Sequence, residues 1–471
     1  MKQLFLKVLA LLAILVPSTM YAYDFEVDGI YYERKASSSD VVSVTYGDHD
    51  GSSYSGDVVI PESVIYRNRT YRVLHIGSWA FENCTGLTSV IIPNSVTVIY
   101  FNAFAGCSNL ASVTMGNSVN DIYSDAFRDC TSLTGITIPD SVKYIRANAF
   151  ENCSSLTSIN IPSSVTSIES YAFSNCSSLA GVYINDLEAW CKISFGGYEA
   201  NPLSYAHHLF LNGEEVKYLV IPDSITTIGK FAFEGCSGLT SITIPDSVTS
   251  IGSWAFAYCS SLSSVSLSNS IIDIGYMAFY DCTSLTSVDI PGAVTTIDKY
   301  AFSGCTSLTR ATIGNSVTSI GDNAFSNCSS LAEVTIGNSV TEIGNWAFSS
   351  CSGLTSIICH AANPPTIYNN TFRFCNYNSA SLYVPAESLS AYQEAEYWNA
   401  FANILPITPS VLGDVNGDGA LTVSDVTMLI NMLLNSGDSS IDPAYGDCNG
   451  DGTVNISDVV ILIGYVLNGT R

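Results

Sequence analysis

Charged residues are scarce in this chain, and basic residues are the scarcest of all. Lys and Arg number 17 among 471 residues against 42 Asp and Glu, so the formal net charge is −25. Nucleic-acid-binding proteins neutralise phosphates with clustered Lys and Arg, so this composition argues against that class and against docking on anionic lipid. The hydrophobic content of 47% excludes a disordered chain. Such an acidic, Lys-poor composition suits an exported protein or a cation binder.

Long hydrophobic runs are also missing after the first 22 residues, where no stretch reaches the roughly 18 apolar residues of a transmembrane helix. Residues 1–22 themselves have the pattern of a secretory signal peptide. Lys2 and Lys7 precede the apolar run Val8–Val16, and Ala22 is a small residue at the expected cleavage site. No Cys stands directly after the run, where a lipoprotein would carry its lipid-modified residue, so a lipoprotein anchor is not expected. We predict a secreted protein that is cleaved near Ala22.

An internal repeat dominates the rest of the chain. The dipeptide Ala-Phe, then two variable residues, then Cys, recurs eleven times. The repeat cysteines are Cys84, Cys107, Cys130, Cys153, Cys176, Cys236, Cys259, Cys282, Cys305, Cys328 and Cys351. Every step is 23 residues except one of 60, which contains an insertion of 37 residues. Such a fixed period indicates a stack of identical structural units.

A typical repeat unit is Ser241–Ser263. Its segment Ser241–Ile244 alternates apolar and polar residues, as a short strand does, and Pro245-Asp246-Ser247 has turn chemistry. Ser253–Tyr258 could form one helical turn with Ala-Phe facing inward. One unit cannot bury both faces, but stacked copies can. The fold class predicted is therefore an α/β solenoid of 23-residue coils with parallel strands, about 4.8 Å apart, and short helical turns.

The repeat resembles the BspA-like leucine-rich repeat family. The resemblance rests on the opening FEVDGIYYERK, the segment SGDVVIPESV, the unit SIGxxAFxxCxxLTSVxIP and the closing PPTIYNNTF and LYVPAESLSAYQ. It implies a bacterial or parasite surface or secreted protein that binds other proteins or cells and whose repeats are not catalytic. The expected boundaries are an N-terminal cap at 23–57, a solenoid at 58–405 with an enlarged coil at 185–217 and a C-terminal cap at 376–405, and a linker at 406–410.

The cysteine column admits three interpretations. An exported protein permits disulfides, and neighbouring coils place Cα atoms within disulfide range, but side chains in one column run parallel. Metal binding needs further ligands, and no His is interleaved with these cysteines. We favour a column of buried, reduced thiols that pack as small hydrophobic residues beside Phe.

Two further features of the repeats could bind a ligand. The enlarged coil holds Trp190, Phe195 and the pair His207-His208, which with Glu214 and Glu215 could bind a metal, although a packed structural bulge is the alternative. The residue before each Ala-Phe varies, and three of the five tryptophans occupy this column. If exposed, these rings form an aromatic stripe suited to sugars or protein side chains, whereas half-buried rings would only cover the coil edge.

The C-terminal region carries two acidic 12-residue loops, 33 residues apart. Calcium requires six to eight oxygen ligands, and such loops supply them from positions 1, 3, 5, 7, 9 and 12, with Gly at position 6. The first loop offers Asp414, Asn416, Asp418, Ala420 through its carbonyl, Thr422 and Asp425, and the second offers Asp447, Asn449, Asp451, Thr453, Asn455 and Asp458. Gly419 and Gly452 occupy position 6. We predict two EF-hand-like calcium sites.

Each loop leads into a predicted amphipathic helix, because apolar residues recur at i, i+3, i+4 and i+7. This arrangement resembles a type I dockerin over about residues 411–469, a small all-α module. The resemblance implies docking to a cohesin module of a scaffolding protein, through loop positions 10 and 11. These are Val423 and Ser424 in the first half and Ile456 and Ser457 in the second. The matching halves would permit two binding orientations, and the alternative is a calcium-stabilised structural cap.

The function predicted is a non-catalytic, exported binding or adhesion protein. Its solenoid would bind a protein or glycan surface, and its dockerin would bind cohesin. The chain contains no G-x-S-x-G or H-E-x-x-H motif, and its repeat carboxylates occupy turn positions. The alternatives are an accessory component of a polysaccharide-degrading, cellulosome-like complex and, less favoured, a glycan-active enzyme or a protease inhibitor.

Overall fold

The computed structural model describes residues 23–35, 40–47, 53–407, 413–416, 421–434, 446–449 and 453–468. The chain divides into two compact units. The first comprises Met1–Ala206 and Phe210–Gly213, and the second comprises His207–Leu209 and Glu214–Arg471. The predicted signal peptide lies outside the described residues. Within them, no helix combines the length and the apolar character needed to cross a bilayer.

The first unit begins with antiparallel strands and continues as parallel coils. Strand β2 pairs antiparallel with β1 and β3, and β5 pairs antiparallel with β6, before the parallel ladders start. The strands of this unit are β1 Phe25–Val27, β2 Ile30–Arg34, β3 Val41–Thr45, β4 Ser55–Val59, β5 Ser63–Tyr66, β6 Arg69–Ile76, β7 Gly86–Ile91, β8 Val98–Ile99, β9 Ser112–Thr114, β10 Asp121–Ile122, β11 Gly135–Thr137, β12 Tyr144–Ile145, β13 Ser158–Asn160, β14 Ser167–Ile168, β15 Gly181–Ile184 and β16 Ser194–Phe195. Each regular coil contributes one strand to each of two sheets, in the orders β6-β8-β10-β12-β14-β16 and β4-β7-β9-β11-β13-β15.

The second unit repeats this design from β19 onward. Its sheets have the orders β19-β21-β23, β25-β27-β29-β31-β32-β33 and β20-β22-β24-β26-β28-β30. The remaining strands are β17 Leu209–Leu211, β18 Glu214–Glu215, β19 Tyr218–Val220, β20 Thr227–Ile228, β21 Ser241–Thr243, β22 Ser250–Ile251, β23 Ser264–Ser266, β24 Asp273–Ile274, β25 Ser287–Ile290, β26 Thr296–Ile297, β27 Arg310–Ile313, β28 Ser319–Ile320, β29 Glu333–Ile336, β30 Glu342–Ile343, β31 Ser356–Cys359, β32 Ser381–Val384 and β33 Asn403–Pro406. The predicted α/β solenoid of parallel strands is confirmed.

Helices are few. They are α1 Leu187–Cys191, α2 Leu203–Ala206, α3 Leu389–Glu394, α4 Val423–Leu434 and α5 Ile456–Asn468, and the 3₁₀ helices are Tyr198–Ala200, Ala386–Ser388 and Trp398–Ala400. Helices α4 and α5 pack against each other as a small helical module after the solenoid.

The core consists of columns, because the period places the same residue at the same height in every coil. Strand partners are related by 23 residues, as in the pairing of Ile242 with Val265. Phe279 is 0% exposed and stacks on Phe256 and Phe302 with ring centroids 5.3 and 5.2 Å away. Such ring pairs contribute about 0.5–1.5 kcal/mol beyond their area burial. Each coil is therefore stabilised mainly by its immediate neighbours.

The segment Ser253–Tyr258, expected as a helical turn, consists of hydrogen-bonded turns. Trp254 and Tyr258 both have φ of 61°, in the left-handed region. A residue in that region ends a right-handed helix, so none propagates through the Ala-Phe segment. Instead, the segment is tied to the next coil, since the Phe256 amide donates to the Ala278 carbonyl at 2.9 Å.

The repeat cysteines are free thiols and are buried in the core, as the column interpretation predicts. The structure adds a hydrogen bond that the sequence analysis missed. The Sγ of Cys282 donates to the carbonyl of Phe256 at 3.2 Å, and Cys305 and Cys328 do the same to Phe279 and Phe302. The thiol therefore satisfies a main-chain oxygen of the preceding coil. Burial raises the pKa of Cys328 to about 12, so the thiol stays protonated.

The enlarged coil of the first unit is a packed structure. Asp186 caps α1 by accepting a hydrogen bond from the Ala189 amide at 2.9 Å. Trp190 is 1% exposed, and its ring lies 5.4 Å from that of Phe195. These two residues form a small core of their own, as the structural alternative predicts.

The last coil of the second unit is covered by a polar-faced cap. Trp398 is 1% exposed, and its indole N–H donates to the Pro365 carbonyl at 2.8 Å. Tyr392, on α3, is 0% exposed, and its hydroxyl donates to the Ala361 carbonyl at 2.8 Å. Capping of this kind protects the otherwise open end of a repeat array.

Candidate calcium site and binding surfaces

Helices α4 and α5 are equivalent elements shifted by 33 residues, and each follows an acidic loop. Their inner faces meet in a core of Val415, Val426, Leu429, Cys448, Val459 and Leu462. Leu429 and Leu462, which are equivalent, are both 0% exposed. This small core holds the two loops at the N-terminal ends of the helices.

Asp425 organises the first loop. Its side chain is 0% exposed and accepts hydrogen bonds from the Asn416 amide at 3.1 Å, the Thr422 amide at 2.8 Å and the Thr422 hydroxyl at 3.2 Å. These bonds bring position 12 of the loop back against positions 3 and 9. Asp414, at position 1, is also 0% exposed.

Asp458 has the same role in the second loop. It is 0% exposed and accepts from the Asn449 amide at 3.1 Å and the Asn455 amide at 2.9 Å. The donors stand nine and three residues before the carboxylate, as they do before Asp425. Sequence reasoning assigned both carboxylates to the metal and missed their contacts with the loop amides, although the short Asp at position 12 is the signal for that close approach.

Position 9 of each loop also caps the helix that follows. The Thr422 hydroxyl accepts from the Ser424 amide at 3.1 Å, and the Asn455 side chain accepts from the Ser457 amide at 2.8 Å. Both side chains thus satisfy an amide of the first helical turn, as N-cap residues do. The sequence analysis predicted only ligand roles for them.

The described donor set fits a hard cation. Asp414, Asn416, Thr422 and Asp425 offer only oxygen atoms, as do Asp447, Asn449, Thr453, Asn455 and Asp458, apart from the amide nitrogens of the asparagines. Asp418, Ala420 and Asp451 lie outside the described residues. In the described part of the chain alone, no three His, Cys, Asp or Glu side chains gather around one point.

The predicted cohesin contacts lie at the solvent-facing starts of both helices. Val423 and Ile456 are each 68% exposed, an unusual degree for large apolar side chains, and Ser424 and Ser457 beside them are also exposed. Exposed large apolar groups at equivalent positions are the pattern that the predicted cohesin contacts require. The two halves present the same pair at the same place.

Each helix extends this exposed apolar surface along its length. On α5 the exposed residues are Val460 at 64%, Ile463 at 38% and Leu467 at 77%, in line with Ile456 at helical spacing. On α4 only Leu434, at 75%, matches this line at its far end, and Thr427 stands where α5 has Val460. This exposed stripe, Ile456, Val460, Ile463 and Leu467, was not predicted from the sequence, although its i, i+4, i+7 and i+11 spacing is a signal for it.

The variable column of the solenoid contains both exposed and half-buried rings. Trp79 and Tyr171 in the first unit are 47% and 51% exposed, whereas Trp254 and Trp346 in the second are half-buried. All of them have positive φ, near 60°. The backbone at this position therefore directs any side chain, large or small, toward the coil edge.

The paired histidines of the enlarged coil have separate partners within the second unit. The Nδ1 of His207 lies 3.0 Å from the Gly235 carbonyl, and the Nδ1 of His208 lies 2.6 Å from a Glu215 carboxylate oxygen. This hydrogen bond from His208 is the main cause that lowers the pKa of Glu215. The two rings do not converge on a common point, so the metal alternative gains no support from the geometry.

A stack of short parallel-strand coils followed by an acidic-loop helical module defines a repeat protein with a calcium-binding-type appendage. Residues 70–197, 205–332 and 295–403 match the BspA type leucine-rich repeat region, in 6 copies, and residues 412–467 match the type I dockerin domain. The chain therefore belongs to the BspA-type leucine-rich repeat family and carries a C-terminal type I dockerin. Both are non-catalytic module types.

Two similar solved structures are of bacterial leucine-rich repeat proteins. A leucine-rich repeat protein from Bacteroides ovatus ATCC 8483 is 28% identical with a TM-score of 0.55, over 82% of this chain and 100% of that chain. A leucine rich cell surface protein from Faecalibacterium prausnitzii A2-165 is 27% identical with a TM-score of 0.39, over 66% of this chain and 93% of that chain. No curated protein matches the chain.

Proposed function

We propose that this is an exported, non-catalytic binding protein that docks on a cohesin through its dockerin and captures a protein or glycan surface with its solenoid. The observation that carries the proposal is the duplicated helix start, where Val423 and Ile456 are equally exposed beside their calcium loops. The repetition of the same exposed apolar and Ser pair in both halves supports a partner surface over a structural cap. The division into residues 1–22, 23–57, 58–405, 406–410 and 411–469 belongs to the same proposal.

The dockerin is proposed to hold two calcium ions, one per loop. Asp414, Asn416, Asp418, the Ala420 carbonyl, Thr422 and Asp425 would hold the first, and the equivalent residues from Asp447 to Asp458 the second. Bound calcium supplies the positive charge that lets several carboxylates share one small loop. Because the loops position the helices, binding of the ion also stabilises the cohesin-binding surface.

The cohesin is proposed to contact Val423 and Ser424 in one orientation and Ile456 and Ser457 in the other. The two modes need not be equally strong, because α5 adds Val460 to its exposed stripe where α4 has Thr427. Burying one further aliphatic side chain is worth about 1.5–3 kcal/mol at most. We expect the mode that uses α5 to dominate.

Docking to a cohesin would place the solenoid at a scaffold or cell surface, outside the cell. Membership of the BspA-type leucine-rich repeat family supports a binding or adhesion role for the solenoid. The dockerin equally supports an accessory role in a polysaccharide-degrading, cellulosome-like complex. A hydrolysis screen of the purified protein on polysaccharides separates either role from that of an enzyme, since both predict no released sugar.

A pull-down with an immobilised type I cohesin tests the docking proposal. The full chain should be retained in calcium and released by EGTA. Replacing Val423-Ser424 or Ile456-Ser457 alone, each by Ala-Ala, should leave binding, whereas replacing both pairs should abolish it. Retention of the double-pair variant, or retention in EGTA, would contradict the proposal. A calorimetric count of calcium ions in the same sample checks that two are bound.

A further inference from the structure

A row of aromatic rings follows four successive coils of the second unit. Phe231, Trp254, Tyr276 and Tyr300 supply one ring per coil, with centroids 6.2, 6.1 and 6.0 Å apart in that order. We call these four residues the aromatic row. Its rings are half-buried, so each keeps part of its surface in solvent.

A second pair of rings broadens the row into a patch. Tyr258, which is 41% exposed, and Tyr280 lie with centroids 5.4 Å apart, and both rings are near Trp254 at 6.2 and 6.1 Å. Trp254 therefore lies at the centre, in contact with rings on every side. Such mutual packing fixes the side chains before a ligand arrives, which lowers the entropic cost of binding.

The backbone explains why the rings stand at the surface. Phe231, Trp254 and Tyr300 have φ of 63°, 61° and 60°. This conformation destabilises the protein by about 1–2 kcal/mol for each bulky residue, whereas Asn or Gly adopts it with less strain. Asn323 occupies the same place in the next regular coil, with φ of 59°. The scaffold itself thus does not require rings at these positions.

The charges near the patch are of both signs and form no basic cluster that would bind an anionic ligand. Asp281 follows Tyr280 directly, and the exposed Lys230 precedes Phe231. Lys299 is already paired with Asp322 at 2.7 Å. The strand positions of the same coils carry mainly Ser and Thr. A neutral, hydroxyl-rich ligand is therefore more compatible with this surface than a phosphate-, sulfate- or uronate-bearing one.

The shape of the patch favours a sugar chain over a protein. A stable protein interface buries roughly 800 Å² on each partner around a well-packed apolar centre. Here the ring pairs of the row are stacked at 25° or T-shaped at 62° and 79°, and four of the six rings of the patch are Tyr, with hydroxyls at their tips. Pyranose rings present C–H groups to an aromatic face while their hydroxyls remain in water, which is the kind of contact that amphipathic aromatic residues provide.

We propose that the aromatic row and its flanking pair, Tyr258 and Tyr280, bind an extended, uncharged polysaccharide that runs across successive coils. The repeat of one ring per coil at 6.0–6.2 Å is comparable with the length of one sugar unit, so consecutive sugars meet consecutive rings. This inference rests on the proposed binding function of the solenoid and names its ligand class.

The chain offers conservative test variants. Trp254→Asn and Tyr300→Asn introduce the residue that Asn323 already supplies at the equivalent position, so the coils should remain folded. Trp346→Asn is the matched control, because Trp346 occupies the same column two coils beyond Tyr300 and stacks on Arg373 outside the patch. Thermal melts of each variant confirm that the fold is kept.

Binding of the full chain in calcium is measured by calorimetry with linear β-1,4-linked hexasaccharides of glucose, xylose and mannose, and with polygalacturonate as the anionic control. At least one neutral hexasaccharide should bind and polygalacturonate should not. Trp254→Asn should raise the Kd about tenfold and the double variant Trp254→Asn, Tyr300→Asn beyond detection, since one ring contact is worth on the order of 1 kcal/mol or more. Trp346→Asn should leave the Kd within about twofold.

The proposal is overturned if none of the neutral hexasaccharides binds, or if the Trp254→Asn variant binds as tightly as the parent chain. Immobilised fibronectin and collagen are tested in parallel. Binding to either that Trp254→Asn abolishes, with no glycan bound, would make the patch a protein-binding surface instead. Cohesin should capture the parent chain and these variants equally, since the substitutions lie outside the dockerin. A parent chain that cohesin does not capture would contradict the docking proposal and leave the polysaccharide proposal standing.

Discussion

Substitution of Asp425 separates the two tasks of the carboxylate at position 12. The side chain accepts three hydrogen bonds from Asn416 and Thr422, and it is proposed to bind calcium. Asp425→Asn keeps one of the two side-chain oxygens, which can still accept from Thr422, and removes the charge. Its NH2 group replaces the other oxygen and cannot accept from the Asn416 amide. Asp425→Ala removes both. We expect both variants to lose most of the calcium-dependent stability of this loop, and we expect Asp425→Ala to be much less stable than Asp425→Asn in EGTA.

The magnitudes follow from burial and bond count. A hydrogen bond to a charged acceptor is worth about 1.5–3 kcal/mol and a neutral one about 0.5–1.5 kcal/mol. The Asn variant therefore weakens the two bonds from Thr422 and loses the bond from Asn416, at a combined cost of about 4–5 kcal/mol. It also relieves the burial of an ion that is 0% exposed, which is worth several kcal/mol in the absence of a cation. These effects nearly cancel in EGTA. Asp425→Ala loses all three hydrogen bonds and leaves their donors in the loop without this acceptor. It should therefore unfold the dockerin in EGTA.

Calcium restores the difference between the parent chain and the Asn variant. At 1 mM free calcium and a Kd of about 10⁻⁶ M, one site stabilises the folded state by about 4 kcal/mol. A hundredfold weaker site contributes about 1.4 kcal/mol. The Asn variant should therefore lose about 2.7 kcal/mol of calcium-dependent stability, equivalent to roughly 10–20 °C in Tm for so small a module.

Scanning calorimetry of the full chain measures this directly, because the dockerin transition is the one that EGTA shifts while the solenoid transition stays fixed. The reasoning fails if calcium stabilises Asp425→Asn as much as the parent chain. It also fails if Asp425→Asn is as unstable as Asp425→Ala in EGTA. The hydrogen bonds from the loop amides would then require the negative charge of Asp425 even without calcium. Asp458→Asn is a second, independent case, with two hydrogen bonds in place of three.

Three further predictions concern the rest of the chain. The repeat cysteines should react slowly with thiol reagents in the folded protein at pH 8 and rapidly in denaturant, because burial raises their pKa, to about 12 for Cys328; an intact mass lower by several disulfides would contradict this. Cys282→Ala should lower the free energy of unfolding by about 1–2 kcal/mol through the lost sulfur packing and the lost bond to the Phe256 carbonyl, and denaturant titration measures it. Mass spectrometry of the exported protein should find an N-terminus next to Ala22, and an intact Met1 on cell-associated protein would refute the signal peptide.

The sequence predicts the solenoid well because its signal is repeated. One period fixes the strand, the inward Phe and the Cys in every coil, and parallel pairing then follows from stacking. The thiol hydrogen bond was not predictable in this way, because donor and acceptor are 26 residues apart and meet only across two coils. The repeat pattern predicts which side chains stack in a column. It does not predict which main-chain carbonyls accept hydrogen bonds from those side chains.

The turn geometry of the Ala-Phe segment was hidden for another reason. Asn148 and Asn323 hint at left-handed backbone, since Asn tolerates positive φ, but Trp254 and Tyr300 at the same place suggest a helix or strand. The hydrogen bonds around the segment override the preference of the bulky residues. Residue type alone therefore gave conflicting signals, and only the coil-to-coil bonding resolves them.

That bonding also explains why binding specificity can reside in this column. The Trp254 amide donates to the Tyr276 carbonyl at 2.9 Å, and the Asn323 amide donates to the Asn345 carbonyl at the same distance. The main chain holds its place whether the side chain is a large ring or a small amide. The column itself carries Phe231, Trp254, Met277 and Tyr300, and the ring of the third coil comes from the preceding residue, Tyr276. Since the fold does not depend on the side chain at this position, the gathering of rings in four consecutive coils needs a cause outside the fold. A bound ligand supplies one, whereas a requirement of coil stacking would have placed rings in the coil of Asn323 as well.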